Sequence, residues 1–280
     1  MRAVGILRYL GLTIGGAILF IFLTALFVPA GVLLNAANRG LSQYGLKLGA
    51  ASFSKALPLG IKGTGITLSS DTGELLKVRK GRLSLDLFPL LTGKLSLSID
   101  AEIGSGTLSS SISLLRAPAT HIVVKNVRLE DVPFFQTVAG MKAGGILSGK
   151  VETSGAVSKA KGYVQLEVQG AELSGMQIGG MALPDASYRT VQGMIRINGG
   201  KGAIESFTLQ GDELYVRLKG GLPLADPLPA TPLDLSLEIM PKPALLEKQK
   251  LVFLLLLKYQ DAPGHYLLPV KGTLGKPQVL

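Results

Sequence analysis

From Tyr9 to Asn38 the chain runs 30 residues without a charged side chain, and most of the sequence beyond Arg39 alternates apolar with polar positions. A helix crossing the ~30 Å hydrocarbon layer of a bilayer needs roughly 20 apolar residues. Leu10 to Leu34 exceeds that, with its densest stretch from Ile18 to Leu23. Backbone groups in lipid must be satisfied within their own segment, so this run is expected to form a spanning helix. The same run, behind Arg2 and Arg8, also reads as a signal peptide, and Val28-Pro29-Ala30 offers small residues of the cleavage type. Signal cores run about 7–15 residues, whereas Leu10 to Val28 is an uncharged run of 19. The expectation is an uncleaved, single-pass anchor over residues 9–38. It divides a short cytoplasmic tail, residues 1–8, from a β-rich domain, residues 39–280, outside the cytoplasm. Arg39, Lys47 and Lys55 come after the helix and weaken the charge asymmetry behind that orientation.

The alternation predicts strands with one buried face. Leu83, Leu85 and Leu87 alternate with Ser84 and Asp86, and Leu95, Leu97, Ile99, Ala101 and Ile103 alternate with Ser96, Ser98, Asp100 and Glu102. The period of two returns in Leu108 to Leu114, Val164 to Val168, Leu214 to Leu218, and Leu233, Leu235, Leu237 and Ile239. The 36 glycines fall mainly between such runs, as turns require. A large curved sheet, antiparallel or mixed, is therefore expected, with either a groove or a sandwich core. Leu95, Leu97, Ile99, Leu233, Leu235 and Leu237 are its candidate apolar lining. Both a dry core and a lipid-lined groove demand this pattern, so the sequence leaves the choice open.

Two short helices are expected, Asp131 to Met141 and Pro243 to Tyr259, each with a proline near its start. The second contains Leu251 to Leu257, seven apolar residues and too few to cross a bilayer. Helical geometry spreads them around the circumference, which favours a buried helix that plugs or caps the β domain. The competing reading is a helix that touches a membrane or partner, with Lys248, Lys250 and Lys258 at the headgroups. Val168 to Leu173 and Leu209 to Leu214 form a weak repeat, read as a recurring hairpin with a glycine turn. Pro223 to Pro232 is expected to be a loop within one domain.

Composition excludes several chemistries. With no cysteine there is no disulfide scaffold, thiol catalysis or zinc-thiolate site. The formal charge of +10 falls to +7 when Arg2, Arg8 and Arg39 are assigned to the anchor flanks. That surplus suits anionic headgroups or an acidic partner. Nucleic acid is not an expected partner: tryptophan is absent, the lysines are dispersed, and an anchor would hold the domain away from DNA.

His121 and His265, the only histidines, have no neighbouring carboxylate at metal-ligand spacing in the sequence. Asp100 and Glu102 share one face of a strand and read as solvated positions rather than an acid/base pair. Ser109 to Ser111 lack a nucleophile elbow. Gly144 to Lys150 imitates a phosphate loop, but Val151 stands where magnesium needs a hydroxyl, and the alternation after it is a strand's. No catalytic residue, metal or cofactor is expected.

Two further features have a physical use. Gly11 and Gly15 form a G-x-x-x-G spacing that lets two membrane helices approach, so self-association through the anchor is one reading of them. Lys77, Arg79, Lys80 and Arg82 surround Gly81, read as a hairpin tip that is either simply solvated or an anionic docking surface.

Ala51-Ser52-Phe53-Ser54-Lys55-Ala56-Leu57-Pro58-Leu59-Gly60, with the run through Leu87-Phe88-Pro89 to Leu95, resembles the early part of the type II secretion system protein N family. Tyr266-Leu267-Leu268-Pro269-Val270-Lys271-Gly272-Thr273-Leu274-Gly275-Lys276-Pro277 is similar to the ending shared by that family and the broader AsmA-like envelope proteins. The resemblance implies a non-enzymatic accessory of the secretion machinery in the bacterial inner membrane. Most of its chain would lie in the periplasm, among other secretion subunits. The AsmA-like side implies an alternative: a sheet whose apolar face shields phospholipid acyl chains. The strand around Leu267 to Leu274 is expected to be an exposed sheet edge open to strand addition.

Overall fold

The computed structural model describes residues 30–42, 45–56, 60–86, 95–113, 118–175, 177–178, 181–182, 185–225 and 228–279. Strands succeed one another from β1 (Leu46–Ala56) and β2 (Gly60–Ser70) through β3 (Gly73–Asp86), β4 (Ser96–Ile103), β5 (Gly106–Ser113) and β6 (Ala119–Arg128). They continue as β7 (Lys142–Ser154), β8 (Lys161–Ser174), β9 (Gln177–Ile178), β10 (Met181–Ala182), β11 (Ala186–Asn198), β12 (Lys201–Gly211) and β13 (Leu214–Pro223). The last are β14 (Asp234–Pro241), β15 (Gln260–Ala262), β16 (His265–Thr273) and β17 (Lys276–Val279). β9 and β10 pair with each other, and the other strands form a single 15-stranded sheet in almost unbroken chain order.

Every pairing is antiparallel, which removes the mixed-sheet alternative. Where two residues join consecutive strands, as at β2–β3, β4–β5, β11–β12 and β12–β13, the reason is local, since a parallel pair would need a crossover of a dozen residues or more. β1 stands at one end. At the other, β16 lies between β14 on one side and β15 and β17 on the other. Val270 to Thr273 is covered by β17, contrary to the sequence expectation, whereas Leu267 to Pro269 pair with β14 alone in the register. The residues after β14 fold back and supply both outer strands.

The core is concentrated in the second half of the sheet. Leu129, Ala143, Val168, Ala171, Tyr188, Val191 and Val216 form one buried cluster. Leu222, Leu233, Leu235 and Val270 form a second, and Phe253, Tyr266 and Leu268 a third. Leu237, half-buried, packs against all three and ties them together. In β3 to β6 the buried apolar residues are Ile103 and Val127.

The first expected internal helix is a 3-10 turn, Leu129–Asp131, succeeded by the helix Phe134–Ala139, with Pro133 at its amino-terminal cap. The second is broken into Pro243–Lys248 and Lys250–Leu255 at Gln249, whose φ of −120° and ψ of 37° leave the helical region. A 3-10 turn, Leu257–Tyr259, completes it. The glycine repeat does not form two equivalent hairpins. Gly170 lies inside β8, whereas Gly211 ends β12 just before a turn. The loop from Pro223 to Pro232 is tied down by Thr231, fully buried, whose hydroxyl accepts a hydrogen bond from the Ala225 amide at 3.0 Å.

Among the described residues no helix is long and apolar enough to cross a membrane. The expected anchor lies outside the described residues up to Pro29, and so do Gly11 and Gly15. The helix Ala30–Ser42 runs past the expected boundary at Asn38 and carries Arg39 in its last turn, where a cation complements the helix dipole. It packs on β1 through the side chain of Asn38.

Candidate functional site

The register aligns apolar side chains into rows that cross many strands. One row reads Leu83, Ile99, Ser110, Ile122, Val151, Val164, Ile195 and Ile204 from β3 to β12. A neighbouring row begins Leu85, Leu97 and Ile112. Cross-strand partners point to the same side of a sheet, so these rows form one continuous apolar face. From Leu83 to Ile204 the apolar members of the long row are half-buried, not buried.

The six candidate lining residues are thus divided. Leu233 and Leu235 are core, Leu237 bridges the core clusters, and Leu95, Leu97 and Ile99 lie on or beside the half-buried face. β4 and β14 are eight steps apart in the sheet, so the two trios do not meet. Within the half-buried face sits Ser110, itself 8% exposed, whose hydroxyl oxygen has no hydrogen-bond partner among the described residues. A buried hydroxyl left unpaired costs about 1–3 kcal/mol.

The opposite face is polar. Lys62, Arg82, Asp100 and Ser109 form one cross-strand row, and Thr64, Lys80, Glu102 and Thr107 the next. Both line a shallow depression of about 580 Å³ that extends to Ser52 and Ser54 on β1. The Ser52 and Thr64 hydroxyls are 2.7 Å apart across that edge. Asp100 and Glu102 face basic partners in the register, which makes them members of a charge ladder.

Gly81 is not a hairpin tip, contrary to the sequence expectation, because Lys77 to Arg82 lies within β3. Gly81 pairs with Gly63, and a Cβ at Gly81 would stand 2.7 Å from the Ile66 Cδ1 atom. The Ile66 side chain thus lies over Gly81 inside the strand pair. The basic run is also partly neutralised. Lys77 pairs with Glu74 at 2.7 Å, and Arg79 and Lys80 reach Glu102 at 3.4 and 4.0 Å.

The histidines do have carboxylates in space. His121 approaches Glu152 across the β6–β7 pair at 3.4 Å, and His265 bonds to Asp261 within the β15–β16 hairpin. Sequence spacing concealed the first because the partners lie 31 positions apart and meet only through strand register. Glu152 also receives Lys150 at 2.7 Å, and hydrogen bonding to Lys150 holds its carboxyl below the ordinary value. Arg196 bonds both oxygens of Glu205, which likewise lowers that carboxyl. Among the described residues no three His, Cys, Asp or Glu side chains converge as a metal site. Gly144 to Lys150 lies inside β7 and opens no helix.

The helix Lys250–Leu255 presses Phe253 onto Tyr266, with ring centroids 5.4 Å apart. Its other side leaves Leu251, Leu254 and Leu255 exposed, along with Leu257 in the next turn. The expected buried helix, plugging or capping the β domain, is therefore buried through Phe253 alone, and these leucines depart from it. Phe253 faces inward against Tyr266 and Leu268, and the leucines lie on the other side.

Comparison with protein-family models, with curated proteins and with solved structures returns no match for this chain. What the structure defines is a class of architecture: a mainly β protein built on one long, open antiparallel meander with a half-buried apolar face.

Proposed function

We propose that the chain is a non-enzymatic accessory subunit of the type II protein secretion machinery, held in the bacterial inner membrane by its amino-terminal apolar segment. It works in the periplasm through its sheet. The observation that carries this reading is where the resembling stretches lie. Ala51 to Ala56 lies in β1 and Gly60 opens β2 at one end of the sheet, and Tyr266 to Pro277 lies in β16 and β17 toward the other. The second stretch is also a structural lock. Gly272 has φ +88°, and a Cβ there would stand 2.5 Å from the Lys276 carbonyl oxygen. Its carbonyl accepts from the Leu233 amide, and the Leu274 amide donates to Thr231. The Gly-Thr-Leu run therefore has a mechanical reason, and the two resembling stretches stand toward opposite ends of the sheet.

The test is deletion of the gene in its own host. Exoproteins should accumulate in the periplasm while envelope lipid composition stays normal. Intact secretion with altered lipid composition would overturn the reading.

A second reading has its own observation, the half-buried apolar face with the unpaired Ser110 hydroxyl among its isoleucines. In this reading the face shields acyl chains. The long row crosses eight strands, β3 to β12, which at ~4.8 Å per step gives a face of about 34 Å. That length suits local lipid handling better than a bridge between two membranes. A photoreactive amino acid at Leu97 or Ile99 should crosslink phospholipid in cells, whereas one at Ser98 or Asp100 on the polar face should not. Absence of lipid adducts at Leu97 and Ile99 would remove this reading and leave the first standing.

A further inference from the structure

The end of the sheet farthest from Asn38 carries a surface that neither reading uses. Leu251, Leu254, Leu255 and Leu257 are 78, 57, 55 and 50% exposed. Leu251, Leu254 and Leu255 share one side of the helix Lys250–Leu255 by their spacing of three and four. The other side is fixed, since Phe253 is buried against Tyr266 and Leu268. The leucines are therefore held outward by a core contact and cannot be withdrawn without breaking it.

Around them stand Lys248, Lys250 and Lys258. From Lys242 to Tyr259 there are four lysines and one acid, Glu247, which leaves a net charge of +3. Lys248 bonds to Glu213 and Lys250 to Glu247, yet their side chains remain 62 and 65% exposed. Lys258 lies over the Tyr259 ring, 4.6 Å from its centroid.

We propose that this leucine and lysine surface docks on an anionic lipid bilayer, as a second membrane contact remote from the amino-terminal segment. Composition selects the occupant. Protein interfaces are enriched in Trp, Tyr and Arg, with lysine depleted and leucine under-represented among their hot spots. Four exposed leucines beside lysines invert that pattern and match an interfacial helix, whose apolar side enters the acyl boundary while its lysines meet phosphate groups. About 60 Å of sheet separates this surface from β1. The contact can therefore be made to a bilayer other than the one that holds the amino terminus.

The natural chain has no cysteine, so Leu254→Cys introduces a single thiol for an environment-sensitive dye. The labelled full chain is mixed with vesicles of phosphatidylcholine and phosphatidylglycerol that contain spin-labelled lipid. The dye should shift to the blue and be quenched, while the same dye at Ser109→Cys on the polar face should stay unquenched. Each of Lys248→Gln, Lys250→Gln and Lys258→Gln should weaken the quenching affinity roughly fivefold, with unchanged thermal unfolding as the folding control. Equal quenching by pure phosphatidylcholine, or none at position 254, would overturn the proposal. A blue shift that grows with protein concentration in the absence of vesicles would assign the surface to a second copy and overturn it equally.

Discussion

Asn38 is hydrogen-bonded twice to the backbone of Leu48: its Nδ2 donates to the Leu48 carbonyl at 2.9 Å, and its Oδ1 accepts from the Leu48 amide at 2.7 Å. A side-chain amide thereby stands in for a neighbouring strand at the free side of β1. Unpaired backbone groups on an edge strand invite foreign strands, and this contact blocks one such position. It also couples the amino-terminal helix to the sheet, so the direction in which the chain leaves the domain is set by β1.

Replacing Asn38 with leucine should remove both bonds and destabilise the junction by about 1–3 kcal/mol. Asn38→Asp, which keeps the acceptor and loses the donor, should fall between. Amide exchange at Leu48 is the direct measurement. It should accelerate in Asn38→Leu while the amides of β11 and β12 keep their protection, and a uniform loss of protection would contradict the local role.

The apolar rows predict a contrast between two substitutions of the same kind. Leu268, 1% exposed in the cluster with Phe253 and Tyr266, should cost about 2–5 kcal/mol on replacement by alanine. Ile99 is half-buried and should cost well under that, on the order of 1 kcal/mol. Urea unfolding of both variants checks it. Equal losses would mean that the face around Ile99 is as dry as the core around Leu268.

That contrast marks what was legible beforehand. A period of two with glycine-rich breaks is enough to specify strands and an antiparallel meander, because each hairpin is a local decision. It cannot say whether Leu97 and Leu235 meet the same environment, since both alternate with polar neighbours and differ only in what later folds over them. Gly81 misled for a related reason: a glycine among basic residues looks like a turn, and only its pairing with Gly63 beneath Ile66 shows a close approach inside a strand. Asn38 carried no signal at all, because its partner is a backbone amide. The exposed leucines were hidden in a run apolar all round, where only the contact of Phe253 with Tyr266 and Leu268 decides which side faces in.

Gly272 tests the lock that ends the sheet. Its φ of +88° and the 2.5 Å approach of a virtual Cβ to the Lys276 carbonyl oxygen mean that Gly272→Ala must distort the β16–β17 turn. A strained backbone position costs about 1–3 kcal/mol. The Leu233 amide, which donates to Gly272, should lose exchange protection together with β17. Wild-type protection of Leu233 in the alanine variant would show that the turn relaxes without releasing the loop.

Acid should loosen the same end of the sheet. Hydrogen bonding to His265 holds the Asp261 carboxyl below its ordinary value of 3.8, and this pair joins the outer strand β15 to β16. As pH falls the unfolded chain takes up this proton first, because its carboxyl is the weaker acid. The pair's contribution is therefore complete above the ordinary carboxylate range, and it is lost as pH drops through the lowered value of the folded state. Asp261 is exposed, so solvent screening keeps the contribution small. Asp261→Asn should lower the thermal midpoint slightly at neutral pH, and its difference from the natural chain should shrink to nothing at acid pH. A difference that persists unchanged below the carboxylate range would show that the aspartate acts through packing, and that its charge has no part in holding β15.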